Sequence, residues 1–309
     1  MPLYLTEEDV GELLSTADAL AAVEACFERM ARGALANRPR HRLRADRGAF
    51  AVMEAVDSEL GLAGVKAYVA VEAGASFCVL LYDLARGALA AVIEANKLGQ
   101  LRTGAASGVA AKYLAREGAS SLGVIGCGWQ AESQLVSIRE AVPTIQNVVA
   151  YCRSEERLDD FCARFGAEPA ESHREAGACD VVVTITTSRD PVLRGDWLQP
   201  GALVCAAGAN IPRARELDDV VVQRAQLVVC DSIETAKIEG GDLIEPVANG
   251  ILDWLEVHEL HEVVAGELPG RQSDDDIVLF KSHGIAAWDV AVAAAALERA
   301  RSAGVGREV

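Results

Sequence analysis

Hydrophobic and polar positions change rhythm near residue 120. Before it, Thr6-Glu7-Glu8-Asp9 has the form of a capping box and opens a helix, and a second start at Ser15 or Thr16 leads a longer amphipathic helix to about Ala34. Short apolar or alternating runs at 49–56, 64–71, 77–83 and 88–93, parted by glycine or charge, predict strands of a mostly antiparallel sheet. An alanine-rich helix is expected over 105–116. From Ser121 to about Phe280, apolar runs at 122–125, 147–151, 180–185, 202–206 and 227–230 alternate with helical segments, the pattern of a parallel, doubly wound sheet. A last alanine-rich helix covers 286–303. The fold class is α/β, with chain enough for two cores.

The first strand of the second half runs straight into Gly126-Cys127-Gly128 and then a helical pattern from about Gln130. A strand, a tight glycine turn and a helix N-terminus suit a pyrophosphate: the glycines permit the turn and close backbone approach, and the helix supplies free N–H groups. Ala131 stands where a third glycine would complete the fingerprint. A plain strand-to-helix turn would leave the same trace.

Composition narrows the partners. Of the 309 residues 51% are apolar and 5% aromatic, and the formal charge is −17. So acidic a chain is not built for a phosphate backbone, and no nucleic acid is expected. No apolar stretch approaches a membrane span. The eight cysteines form no CxxC pair and several sit inside apolar runs, as in Val204-Cys205 and Val229-Cys230, which reads as buried thiols of a cytoplasmic protein.

Candidate chemistry is concentrated in a few places. Arg38, Arg40, Arg42 and Arg44 crowd one short segment; a helix and turn with a solvated basic face would explain it as well as a site would. Lys66 lies inside an expected strand, where a lysine most simply faces water. Arg102-Thr103 stands at the expected start of a helix whose first residues, Gly104 to Gly108, are all small; that N-terminus would be a second anion site, or else the small face packs on another helix. The second strand of the parallel sheet ends Tyr151-Cys152-Arg153-Ser154, a cation and a hydroxyl where an NAD site carries an acid, which favours NADP(H) over NAD(H). Asn210 closes a strand's C-terminal edge, where open α/β sheets bind ligands. His258 and His261 have metal-like spacing without a third ligand, and no metal is assigned.

These stretches resemble the ornithine cyclodeaminase/mu-crystallin family over nearly the full chain: Pro39-Arg40, Val65-Lys66, Leu101-Arg-Thr-Gly-Ala-Ala-Ser107, Gly126-Cys-Gly-Trp-Gln-Ala131, Arg215-Glu-Leu-Asp218 and Lys281-Ser-His-Gly-Ile-Ala286. The resemblance implies a Rossmann dinucleotide-binding domain over 117–283 and an α+β substrate-binding and dimerisation domain over 1–116 and 284–309, in a homodimer. It implies that Arg40, Lys66 and Arg102 hold a substrate carboxylate, with Asn210 also near the substrate. Thr103, Gly126, Gly128, Trp129, Gln130, Ala131, Arg153, Ser154 and Thr186 would contact the dinucleotide, and Ser282 and His283 its nicotinamide end. The expected activity is NAD(P)-dependent interconversion of a small α-amino acid and its α-imino acid, with Lys66 able to exchange a proton. Cyclodeamination of ornithine and NADPH-dependent binding without turnover are the alternatives. The cyclodeaminases carry an aspartate where this chain has Asn210, and a glutamate near Ala51 that it lacks.

Overall fold

The computed structural model describes residues 1–72 and 74–309, which form two compact units. One comprises Met1–Arg102 and Gly284–Val309, the other Thr103–His283, so the division falls at Arg102/Thr103, earlier than residue 116.

In the first unit the strands Ala88–Glu94, Gly74–Asp83, Leu62–Val71 and Gly48–Asp57 lie side by side and antiparallel. Leu3–Leu5 joins parallel to Ala88–Glu94, and Arg307–Glu308 extends that edge. Leu35–Asn37 and His41–Ala45 both pair with Gly48–Asp57 at the other end. The arginine-rich segment is thus a loop and an edge strand and not a helix: Arg38 and Arg44 are exposed, while Arg40 is buried. The helix Ala286–Ala303 packs on three of the central strands and on the helix Thr16–Ala31. Contact is close at Gly64, where a Cβ would stand 2.5 Å from Cγ2 of Val290. Thr6 and Ser15 cap their helices in capping boxes with Asp9 and Asp18.

The helix expected from residue 105 begins at Asn96 and runs to Leu114. Its start was hidden because the cap is not local. Asn96 N and Lys97 N donate to the two carboxylate oxygens of Glu7, at 2.6 and 2.7 Å. Arg102 therefore lies inside the helix, and the helix N-terminus is already occupied by an anion of the chain itself.

The second unit is an eight-stranded, wholly parallel sheet in the order Glu168–Pro169, Asn147–Tyr151, Ser121–Ile125, Val181–Thr184, Leu203–Ala206, Ile277–Lys281, Ala225–Cys230, Val257–Glu259. Strand order reverses between Ser121–Ile125 and Val181–Thr184, the point at which such sheets open a crevice. Ile277–Lys281 was not anticipated, yet it is buried along its whole length and sits inside the sheet. The small face of Asn96–Leu114 has a structural cause: a Cβ on Gly104 would fall 2.3 Å from the carbonyl oxygen of Ser133, in the helix Trp129–Ala141. Among the described residues no helix is long and apolar enough to cross a membrane.

Candidate active site

Strand alternation places Lys66 on the helix-covered face of the first unit's sheet. Its register partners are Met53 and Val79, both buried, and Lys66 itself is 3% exposed. Of the two sequence readings of Lys66, an outward-facing lysine and a site residue, its burial excludes the first. A lone buried ammonium costs several kcal/mol, so a partner is required. That partner is Asp289, in the first turn of Ala286–Ala303 and 1% exposed. Asp289 Oδ1 accepts from Lys66 Nζ at 2.9 Å and from Arg102 Nε at 3.1 Å.

Two further cations complete the group. Arg102 is 7% exposed, with its guanidinium 5.9 Å from the Trp288 ring. Arg40, 8% exposed, donates from Nη2 to the Gly284 carbonyl at 3.3 Å. Arg102 also lies against Gly284, so both arginines meet there. Burial, and next the Arg102 charge, bring the Lys66 ammonium from 10.5 down to about 8, while Asp289 opposes the shift. Asp289 went unrecognised in the sequence as a functional residue. The available signal was one carboxylate in the buried first turn of a helix otherwise made of alanine, valine and tryptophan.

The second unit carries the glycine turn. Gly126 has φ +112°, and a Cβ there would be 2.4 Å from the Ile185 carbonyl. Gly128 caps Trp129–Ala141 with no side-chain hydrogen bond, and nothing lies within 4 Å of where its Cβ would be. The space beside Gly128 at this helix start is thus open, which fits the close approach of a dinucleotide's pyrophosphate. A cleft of about 290 Å³ extends from this turn. Of the expected contacts it gathers Gly126, Gly128, Arg153, Ser154 and Thr186, and it adds Arg157 and His173, which sequence reasoning missed.

Thr103, Trp129, Gln130, Ala131, Ser282 and His283 do not line this cleft. Ala131 is fully buried, and Trp129 is 47% exposed. The Thr103 carbonyl accepts from Gln134 Nε2 at 3.1 Å. His283 faces Asp231, with Nδ1 3.0 Å from Oδ1. Ser154 Oγ accepts from Arg157 N as a helix cap, which leaves its hydroxyl proton to donate. Asn210 is half-buried after Leu203–Ala206. The loops around Thr186 and Asn210 share one anchor, Glu216. Its carboxylate accepts from Thr186 N (2.7 Å), Thr186 Oγ1 (2.8 Å), Gly208 N (2.7 Å) and Ala209 N (3.1 Å). Burial raises the Glu216 carboxyl above its ordinary range, against the pull of Lys281.

His258 and His261 each approach a carboxylate of their own segment, Glu262 and Glu259. Among the described residues no group of metal-ligating side chains gathers.

The family model for the ornithine cyclodeaminase/mu-crystallin family matches residues 2–304. The chain belongs to that family. Within the family, it is 38% identical to the alanine dehydrogenase of Archaeoglobus fulgidus, over 99% of this chain and 98% of that one. The Thermococcus litoralis Δ1-pyrroline-2-carboxylate reductase, solved with NADH and L-proline, superposes with a TM-score of 0.94 at 32% identity, over 99% and 100% of the two chains. An archaeal alanine dehydrogenase dimer with bound NAD gives 0.94 at 36% identity, over 100% and 98%.

Proposed function

We propose that this chain is a nicotinamide-dependent oxidoreductase that interconverts a small α-amino acid and its α-imino acid, and that it uses NADP(H) in preference to NAD(H). The observation that carries this reading is the buried pair Lys66 and Arg102 on one oxygen of Asp289, with buried Arg40 meeting Arg102 at Gly284 and its charge acting on Lys66. Buried cations gathered from separate segments of an acidic chain suit a small anion, and a substrate carboxylate supplies it. Guanidinium forks suit a planar carboxylate, and a dry site strengthens the attraction. The relatives named above act on small amino or imino acids by name, which supports the same class here. The relative solved as a dimer supports a homodimer.

The parts then have separate tasks. Arg40 and Arg102 bind and orient the carboxylate, which fixes the α-carbon and its nitrogen. The nicotinamide, when bound, supplies or accepts the hydride at the α-carbon. In the reductive direction Lys66 Nζ gives a proton to the substrate nitrogen and is left neutral, to be reloaded from water. In the oxidative direction neutral Lys66 takes that proton. A group titrating near 8 serves either direction at neutral to mildly alkaline pH. At the other end of the dinucleotide, Arg153 with Ser154 and Arg157 offers a cationic, donor-rich wall to a 2′-phosphate.

The test of the carboxylate assignment is Arg102→Ala. It should raise KM for the amino or oxo acid at least about tenfold, as expected for losing a charge-assisted bidentate partner, and leave the NADPH dissociation constant unchanged. An unchanged KM would remove Arg102 from the substrate site.

A further inference from the structure

Lys66 and Arg102 come from a strand and a helix far apart in the chain, and one oxygen atom joins them. We infer that Asp289 is a positioning residue of the reaction, holding the Lys66 ammonium and the Arg102 guanidinium in working geometry through its single oxygen Oδ1. The inference rests on the proton-transfer role given above to Lys66.

Three observations support it. First, the contacts are short and dry: 2.9 and 3.1 Å among side chains at most 7% exposed. Second, Asp289 Oδ2 is buried with no hydrogen-bond partner among the described residues, so the two cations account for the carboxylate's polar contacts here. A carboxylate kept only for stability would be expected to use both oxygens, since a buried unsatisfied acceptor costs free energy. Third, little else near Lys66 could hold it. Its surroundings are Arg102 and the close backbone at Gly99 from Asn96–Leu114, the Phe77 ring at 5.0 Å from Gly74–Asp83, apolar Met53 and Val79, and the Arg40 charge. Arg40 and Arg102 repel the ammonium, and Asp289 attracts it both as a charge and as a hydrogen-bond acceptor.

The electrostatic consequence has a definite sign. Removing the Asp289 charge leaves three cations facing one another, so Lys66 must release its proton at lower pH. The same change makes the site more positive, so an anionic substrate is not held more weakly by charge. Turnover falls instead, because Lys66 and Arg102 lose their common anchor.

The experiment is a kcat/KM profile against pH for the wild type, Asp289→Asn, Asp289→Glu and Lys66→Arg, with one substrate throughout so that substrate ionisations cancel. Asp289→Asn should move the limb assigned to Lys66 toward acid by roughly one pH unit or more and lower kcat about tenfold or more without raising KM in proportion. Asp289→Glu keeps the charge but displaces it, so its limb should stay near the wild-type pH while kcat falls. This second variant decides the matter if the amide fails to fold. A limb at the wild-type pH in Asp289→Asn, or wild-type kcat in Asp289→Glu, would overturn the inference. A limb that persists unchanged in Lys66→Arg fails differently: it removes Lys66 from proton transfer, whatever Asp289 does.

Discussion

Gly284 is shaped to Arg102. Its φ of +79° is one that side chains with a Cβ avoid, and a Cβ built there would stand 2.5 Å from Arg102 Nη1. The backbone must pass under the guanidinium, and Arg40 donates to the carbonyl of the same residue. One glycine thus fits two of the three cations assigned to the substrate carboxylate.

Gly284→Ala should therefore act on the site as well as on the fold. Strain at positive φ costs on the order of 1 kcal/mol, and the methyl group must also displace Arg102. We expect KM for the amino or oxo acid to rise roughly tenfold or more with the NADPH dissociation constant retained. Unaltered kinetics in a folded variant would show that Arg102 tolerates displacement.

Arg153 tests cofactor choice. Losing one charge-assisted contact costs about 1.5–3 kcal/mol, which is roughly ten- to a hundredfold in a dissociation constant. Direct titration should show NADPH bound more tightly than NADH by the wild type, and Arg153→Ala should erase most of that difference by weakening NADPH alone. Equal affinities in the wild type would contradict the preference.

Lys66 also leaves a mark on stability. Its ammonium titrates at 10.5 when unperturbed and at about 8 in the folded chain. Between those values the unfolded state binds more protons, so this residue's contribution rises with pH across the window and is lost as pH falls to about 8. The wild type minus Lys66→Met difference in thermal midpoint should become more favourable to the wild type from pH 8 toward pH 10.5. A difference flat with pH would mean that Lys66 is not depressed.

Much of this was legible in the residues, and the rest was not for a physical reason. The Gly126–Gly128 turn, the four long antiparallel strands, five strands of the parallel sheet and the capping boxes at Thr6 and Ser15 are local patterns, carried by neighbours in the chain. Asp289 lies 223 residues from Lys66, so their pairing leaves no local trace. The start of Asn96–Leu114 was missed because Glu7, 89 residues away, supplies its cap. Strand alternation by itself leaves Lys66 free to face water or the core, and only the family resemblance pointed it to the site; its buried partner Asp289 gives the physical reason.

Asn210 tests the cyclodeaminase alternative, since the family resemblance implies an aspartate at this position in the cyclising members. An amide carries no charge and no basic site near neutral pH, so it can accept a hydrogen bond but can neither take a proton nor neutralise the distal ammonium of ornithine. Incubation with ornithine and NAD should yield no proline and no ammonia at enzymatic rates, as read by mass spectrometry. Proline formed with turnover would show that another group does the work of the carboxylate.

The most direct measurement follows NADPH consumption and amino-acid formation together. Pyruvate, glyoxylate or oxaloacetate would be offered with ammonia or methylamine, and cyclic imines alone. The account predicts that at least one pair gives steady loss of NADPH with one amino acid formed for each NADPH oxidised, and that Arg102→Ala suppresses both together. Tight binding of NADPH and the small acids with no turnover of any pair, or product formed with no net NADPH consumed, would contradict it.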